Sequence, residues 1–143
     1  MIRKSEINLV SRCAVWFKNT YCLKNHKPRC QWILVPNEIA MKVRALLVAE
    51  GVRTQIVNKI IGALSRDLVA TGLCAGASDV IIVLPNKTLF CEFKIGDNTQ
   101  QQNQVEFQQA VTELGHEYHV IRSLEQLQSI IIPYMEDYVK TSK

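Results

Sequence analysis

One carboxylate lies at the start of an apolar segment, and a second carboxylate and an amine lie within the next apolar segment. Charged side chains in such segments are energetically unfavourable unless they are paired or bound to a metal. Asp79 precedes the run Val80–Leu84, and Glu92 and Lys94 alternate along the next apolar segment. Two carboxylates and a backbone carbonyl, that of Phe93, suit Mg²⁺, which prefers oxygen ligands and keeps several waters. The spacing therefore predicts a magnesium site with a lysine beside it.

A magnesium ion next to an ammonium group suits the hydrolysis of a phosphodiester. The metal makes a bound water more acidic and neutralises phosphate oxygens, and Lys94 can orient that water or stabilise developing negative charge. Twelve residues separate Asp79 from Glu92, and one separates Glu92 from Lys94. This spacing is a weak pattern by itself, but its placement across a predicted hairpin raises its significance.

The segment that carries these residues is predicted to be a β-hairpin. Val80–Leu84 is a β-branched run typical of a strand buried on both faces. Pro85-Asn86 supplies the turn, and residues 88–93 form the returning strand. Because side chains alternate along a strand, Glu92 and Lys94 are expected on one face and Phe93 on the other.

Helices and two more strands are predicted around this hairpin. The expected helices cover residues 5–18, 38–50, 55–70, 101–114 and 124–138, and the expected strands cover residues 31–35 and 118–121. Ser5, Asn37 and Thr54 are the predicted N-caps, and Pro133 is expected to kink or interrupt the last helix. The order of elements predicts an α/β fold, a mixed sheet with helices on both faces.

Apolar stripes predict which face of each early helix is buried. The predicted stripes are Val10, Cys13 and Phe17 in the first helix, Ile39, Val43, Leu46 and Leu47 in the second, and Ile56, Ile60, Leu64 and Leu68 in the third. Glu6 falls on the first stripe, so it either points into the interior or faces water at a helix N-terminus that favours negative charge.

Composition favours a soluble, intracellular protein. The chain has 143 residues, of which 48% are hydrophobic, and no apolar run approaches the roughly 20 residues of a membrane span. Residues 1–70 carry 12 Lys and Arg against 4 Asp and Glu, whereas residues 71–143 carry 5 against 9. The basic first half either faces a polyanion such as DNA or presents solvated helix surfaces.

Five cysteines include three that could join a histidine in a zinc site. Cys13, Cys22, His26 and Cys30 supply four possible ligands, but structural zinc sites usually take ligands in pairs about two to four residues apart. Cys13 also falls on an apolar helical stripe, where a reduced cysteine behaves as a small hydrophobe. We therefore expect these residues to be free of metal.

Motifs along most of the chain resemble the VRR-NUC domain, the virus-type replication and repair nuclease of the PD-(D/E)XK superfamily. The matching segments are Ser5-Glu6, Val35-Pro36-Asn37-Glu38, Gly72-Leu73, Gly76-Ala77-Ser78-Asp79, Cys91-Glu92-Phe93-Lys94, Asn103-Gln104 with Phe107, Leu114-Gly115-His116 and His119-Val120-Ile121-Arg122-Ser123. The resemblance implies one nuclease domain over residues 1–143, with an αβββαβ core and a helical insert at about 38–72. Ser78 replaces the proline of the motif, and Gln101 stands where Ser or Thr is common.

The resemblance also implies a role for each site residue. Asp79 and Glu92 are the implied metal carboxylates, Lys94 the catalytic lysine, Glu6 an acidic residue that reaches the site, and Gln104 the site glutamine. The cofactor is Mg²⁺, for which Mn²⁺ substitutes. The candidate DNA contacts, taken from the basic half of the chain, are Arg3, Lys4, Arg12, Lys42, Arg44, Arg53, Lys59 and Arg66.

The function expected from the site and the resemblance is structure-selective cleavage of branched DNA, such as four-way (Holliday) junctions, in phage or bacterial replication and repair. The enzyme is expected to act as a homodimer in the cytoplasm of a bacterial or phage-infected cell. Two alternatives stay open. One is a sequence-specific, restriction-type endonuclease on the same fold, since a fold does not fix a substrate. The other is a catalytically silent domain that only binds nucleic acid.

Overall fold

The computed structural model describes residues 4–142 and shows an α/β fold with five helices and a four-stranded sheet in that range. The elements are α1 (Lys4–Tyr21), β1 (Gln31–Leu34), α2 (Ile39–Ala49), α3 (Thr54–Ala70), β2 (Val80–Leu84), β3 (Lys87–Phe93), α4 (Gln102–Glu113), β4 (Glu117–Ile121) and α5 (Leu124–Thr141). Their order is the predicted one. In residues 4–142, no helix is both long enough and apolar enough to cross a membrane.

The sheet is open and mixed, with strand order β1-β2-β3-β4. β2 pairs antiparallel with β1 and with β3, whereas β3 and β4 run parallel. In the β2–β3 hairpin, Val80 lies opposite Cys91. The next residues outward on the two strands are Asp79 and Glu92, so the register brings the two predicted metal carboxylates to the same end of the hairpin.

Helices cover both faces of the sheet, as predicted. On one face, Leu89, Cys91 and Phe93 of β3 join the buried core with residues of α1 and α5. On the other face, Phe90 contacts Phe107 of α4, with 5.7 Å between ring centroids. Because side chains alternate along β3, Glu92 shares the face of Phe90 and lies beneath α4 rather than in the apolar core.

The prediction that β2 is buried on both faces is wrong. Val80, Ile82 and Leu84 are fully buried, but Ile81 is half-buried and Val83 is 36% exposed. The second face of β2 is not covered by α4, which packs on β4 and on Phe90 and Glu92 of β3. The unbroken apolar run of β2 therefore forms a strand with one buried face and one partly exposed face.

Helices α2 and α3 form a hairpin whose backbone stands apart from the sheet, with no Cα within 8 Å of a Cα in another helix or strand of the described chain. Four residues predicted to be buried are therefore exposed, by 38% to 67%: Ile39, Leu46, Ile56 and Ile60. The remaining predicted residues, Val43, Leu47, Leu64 and Leu68, are half-buried. Val57 is the one fully buried side chain in the described part of this hairpin. Both helices carry the predicted apolar stripes, but no other helix or strand of the described residues packs over them.

The three predicted N-caps are also wrong. Ser5 lies inside α1, Thr54 is the first residue of α3, and Asn37 precedes Glu38, the residue at the N-cap position of α2. The amide of Asn37 instead donates to the carbonyl of Ala77, 2.5 Å away. This bond joins the start of α2 to the segment before β2, and it competes with capping for the same side chain.

Helix α5 continues through Pro133, so the predicted interruption is wrong. Proline removes one donor and would leave the carbonyl of Ser129 without its helical partner. Both residues are exposed, so water can take the place of that donor.

Of the four candidate zinc ligands, Cys13 lies in the middle of α1 and the other three lie in the loop that follows it. Cys13 and Cys30 are buried in the core, and the ring of His26 bonds through Nδ1 to the carbonyl of Pro28, 2.6 Å away. Trp16 and Trp32 pack against the same core. Packing thus accounts for the apolar and aromatic residues of this region.

A close backbone approach at Gly76 holds the segment before β2 against the start of α4. Gly76 has φ +82°, and a Cβ at this position would collide with the backbone carbonyl of Asn103. Only a glycine fits such an approach with a left-handed backbone. The contact fixes Asp79, three residues later, relative to Gln104.

We expect Gly76→Ala to destabilise the protein more than Gly51→Ala. Both glycines have positive φ, so each alanine costs about 1–2 kcal/mol of backbone strain. Gly51 has open space around it, whereas at Gly76 the collision adds about 1–3 kcal/mol. Urea unfolding of the two variants measures the difference. Equal destabilisation would contradict the close approach.

Candidate active site

A polar cavity of about 350 Å³ opens at the end of the β2–β3 hairpin where Asp79 and Glu92 lie. Every residue predicted to be catalytic or to bind metal lines it: Glu6, Asp79, Glu92, Phe93, Lys94 and Gln104. Glu38, Asn98, Thr99 and Gln101 complete the described lining. The elements that converge here are α1, the two strands of the hairpin, the start of α2 and the start of α4.

Glu92 is the most deeply buried charged group of the cavity, with 1% of its surface exposed. Its Oε1 atom lies 2.9 Å from Nζ of Lys94 and also accepts a hydrogen bond from Nε2 of Gln104. Its Oε2 atom is buried and has no hydrogen-bond partner in the described residues. Burial, and secondly the charge of Asp79, raise the pKa of Glu92 to about 7, against the opposing effect of Lys94.

Gln104 holds three groups in place at once. Its Oε1 atom accepts from Nζ of Lys94 at 3.1 Å and from the backbone N–H of Gln101 at 2.9 Å, while its amide nitrogen donates to Glu92. The bond to Gln101 ties the side chain to the first turn of α4. The orientation of the Glu92–Lys94 pair is therefore set by the position of α4 on the sheet.

Asp79 faces Glu92 across the cavity. Its Oδ2 atom accepts a hydrogen bond from the backbone N–H of Phe93, 2.8 Å away. Burial raises the pKa of Asp79, while the Phe93 N–H and the Lys94 ammonium lower it and the charges of Glu38 and Glu6 raise it further. Glu38 and Glu6 thus raise the pKa of Asp79, Asp79 in turn raises the pKa of Glu92, and a cation placed among these carboxylates would relieve the repulsion.

Glu6 points into the cavity and not toward water. It is 8% exposed, and Oε1 accepts from the side-chain amide of Asn98 at 3.4 Å. The helix-dipole interpretation of this residue, which faced it to solvent, is wrong. The site role implied by the family resemblance agrees with its position.

Glu38 lines the cavity as well, although no role was predicted for it. The bond from Asn37 to Ala77 and a second one, from the N–H of Val35 to the carbonyl of Asp79 at 2.9 Å, bring the start of α2 beside β2. These two hydrogen bonds place Glu38 at the cavity. Its place in the Val35-Pro36-Asn37-Glu38 segment was the sequence signal that could have identified it.

The candidate DNA contacts are mainly exposed cations outside the cavity. Arg12, Lys42, Arg53, Lys59 and Arg66 are exposed, and Arg44 is half-buried and donates to Oδ1 of Asn58 at 3.0 Å. Arg3 and the side chain of Lys4 lie outside the described residues. Most of the described candidates belong to the α2–α3 hairpin, so the hairpin is the main basic surface among them.

The donor set fits Mg²⁺ better than it fits zinc. In the described residues, no three or more His, Cys, Asp or Glu side chains are grouped as a metal cluster. Two carboxylates, Asp79 and Glu92, with the carbonyl of Phe93 are the predicted ligands, and Mg²⁺ is commonly held by one or two carboxylates together with water and phosphate. The unpartnered Oε2 of Glu92 is a free acceptor for such an ion. The ion itself stays a prediction.

In comparisons with known proteins, no family model, no curated protein and no solved structure matched this chain. Membership in the VRR-NUC family therefore stays a hypothesis. It depends on the motif residues quoted above and on their convergence at one cavity.

We expect the stability of the protein to fall as the pH rises through the pKa of Glu92. Between pH 4.5, the ordinary value, and about pH 7, the folded protein holds a proton that the unfolded chain has lost. The free energy of unfolding therefore decreases across this window. Lys94 limits the loss by compensating the buried carboxylate, so Lys94→Met should cost about 2–4 kcal/mol at about pH 8 and clearly less at about pH 5.

Urea unfolding in EDTA at the two pH values tests this expectation. The control is Lys140→Met, because the pair of Lys140 with Asp137 is exposed on both sides. Removing that pair should change stability by less than about 0.5 kcal/mol at either pH. A Lys94→Met variant equally destabilised at both pH values would contradict the role assigned to Glu92.

Proposed function

We propose that this protein is a Mg²⁺-dependent DNA endonuclease of the VRR-NUC type, within the PD-(D/E)XK superfamily, that cuts branched DNA such as four-way junctions. The observation that carries the proposal is the buried Glu92–Lys94 pair, held by Gln104 and facing Asp79 in one polar cavity. A buried charge pair that served only stability would be replaceable by apolar residues. Its presence at an open cavity favours a chemical role.

Asp79 and Glu92 would hold the ion, with the Phe93 carbonyl as a third ligand. When bound, Mg²⁺ acidifies water and neutralises phosphate oxygens. In the hydrolysis, a water oxygen bonds to phosphorus, one P–O ester bond breaks, and the leaving oxygen takes up a proton. Lys94 stabilises the negative charge that develops on the phosphate, and Gln104 keeps the ammonium in place.

The charge of the cavity explains why the substrate would need the cation. Glu6, Glu38, Asp79 and Glu92 all line it, so a bare phosphate is repelled. Glu6 and Glu38 surround the two proposed ligands and strengthen the local preference for a divalent cation. DNA would be held instead by exposed cations such as Lys42 and Lys59, which contact phosphates without reading bases.

We further propose that two copies act together. Cutting a four-way junction symmetrically takes two active sites, and each chain has one proposed site, so a twofold dimer is the natural arrangement. The exposed apolar side chains of the α2–α3 hairpin, among them Leu46 and Val48, support association with a second copy. Selectivity would then follow from the spacing and angle of two sites rather than from reading the base sequence.

Removing either proposed metal carboxylate should abolish cutting. We expect Asp79→Asn and Glu92→Gln to slow cleavage of a four-way junction at least about 100-fold, because several kcal/mol of charge stabilisation are lost. Binding of the junction should be unchanged or tighter, because a negative charge near phosphate disappears. Single-turnover cleavage in Mg²⁺ and fluorescence anisotropy in EDTA measure the two effects.

Asp137→Asn is the matched control, since Asp137 lies on the exposed surface of α5. It should cut at the wild-type rate. Near wild-type cutting by either cavity variant would refute the metal assignment. Wild-type protein that binds the junction but never cuts it in Mg²⁺ or Mn²⁺ would favour the silent binding module.

The wild-type enzyme should cut a four-way junction faster than linear duplex, single strand or flap at fixed salt. Light scattering should give the mass of a dimer. If the dimer neutralises about eight phosphates, the logarithm of the binding constant should fall with the logarithm of salt concentration at a slope of roughly −7. A monomer that cuts linear duplex at one short sequence would instead support the restriction-type alternative.

A further inference from the structure

A second cavity, of about 300 Å³, adjoins the polar one. Its walls are aliphatic and come from three elements: Ile7 and Val10 of α1, Leu34 of β1 and Ile39 of α2. We call it the apolar cavity. Small-molecule sites have volumes from about 300 Å³ upward and are lined mainly by apolar groups with a few polar ones.

The two cavities share a wall. Asp79 and Glu38 line both of them. A ligand that occupies both at once must therefore combine a group suited to a charged, metal-binding site with a neutral, weakly polar group a short distance away. Lys42, which also lines the apolar cavity, adds a cation at the same place.

We propose that the apolar cavity is a subsite for one nucleobase of the cut strand, the base attached to a nucleotide next to the phosphate at Asp79 and Glu92. This proposal rests on the proposed nuclease function. A nucleobase is neutral, has flat faces of low polarity, and is joined through its sugar to a phosphate. A phosphate is disfavoured inside the apolar cavity, since Asp79 and Glu38 would repel it and most of the lining is aliphatic, with Ser11, Asn37 and Lys42 as the side-chain donors. Lys42 is placed to contact the adjoining backbone phosphate.

Occupancy of this cavity requires a base that is out of the stack. Extruding a paired base from a duplex is unfavourable, and it is least so for a base that is already unpaired. Nucleotides at the branch point of a four-way junction are paired, but the exchange of strands interrupts their stacking, so extrusion costs less there than inside a continuous duplex. The three most exposed aliphatic walls, Ile7, Leu34 and Ile39, are 38% to 56% exposed, and covering them with a base would offset part of the cost of unstacking. The cavity thus provides a means for one chain to prefer branched DNA.

The test combines an altered substrate with an altered cavity. Four-way junctions are prepared with a single abasic site at each nucleotide flanking the cut. In the wild-type protein, one of these positions should slow single-turnover cleavage by about tenfold or more, because the apolar contacts are lost. Ile7→Trp, which fills the mouth of the cavity from an exposed position, should slow cleavage of the intact junction similarly. It should be insensitive to the abasic site, since the two changes remove the same interaction.

The matched control is Ile132→Trp, which replaces an equally large residue, 37% exposed, on α5. It should keep the wild-type rate and the wild-type sensitivity to the abasic site. A second measurement does not need cleavage: 2-aminopurine at the same nucleotide should brighten when wild-type protein binds in Ca²⁺, which takes the same oxygen ligands, as the base leaves the stack, and not when Ile7→Trp binds.

The outcomes separate the two proposals. A junction that is cut at full rate whichever base is missing overturns the subsite and leaves the nuclease intact. Brightening of 2-aminopurine on binding, together with no cutting of the junction in Mg²⁺ or Mn²⁺, supports the base subsite and overturns the nuclease. Ile7→Trp that turns a dimer into a monomer, with no effect of abasic sites, would assign the cavity to a second copy of the chain and overturn the subsite.

Discussion

The site depends on one buried ion pair. Glu92 lies on the face of β3 that α4 covers, and its carboxylate would be unfavourable there without the ammonium of Lys94 two residues later. The pair in turn requires Gln104, whose amide bonds to both members and to the first turn of its own helix. The position of α4 on the sheet is therefore coupled to the charge state of the cavity. A shift of this helix would leave a buried charge without compensation.

Two further contacts place the rest of the cavity around that pair. Gly76 lets the segment before β2 approach the start of α4, and the amide of Asn37 binds the carbonyl of Ala77. Both contacts involve residues within three positions of Asp79. The strand end that carries this carboxylate is thus held from two sides, by α4 and by the start of α2. Preorganisation of this kind keeps charged groups at fixed separation before any substrate arrives.

The sequence predicted the features that depend on neighbouring residues, such as strand alternation and helical stripes. It did not predict the features that depend on contacts between residues far apart in the chain. The alternation in β3 and the short turn fixed the register that brings Asp79 beside Glu92. Helical periodicity showed which faces of α2 and α3 are apolar, but it carries no information on whether another layer covers them, and Leu46 is 67% exposed. The side chain of Asn37 could either cap the N-terminus of α2 or donate a hydrogen bond to the carbonyl of Ala77, forty residues later, and it does the second. Tertiary proximity decided that choice, and with it the place of Glu38.

The α2–α3 hairpin has a mechanical consequence. No Cα of the hairpin lies within 8 Å of a Cα in another helix or strand of residues 4–142, while the side chains of Ile39 and Lys42 line a cavity together with α1 and β1. Its two connections to the body, around Asn37 and around Ala77, are joined to each other by a hydrogen bond two residues from Asp79. The base of the hairpin therefore lies next to the carboxylates of the cavity. A displacement of the start of α2 would therefore change the separation between Asp79 and Glu38, the two carboxylates that line both cavities.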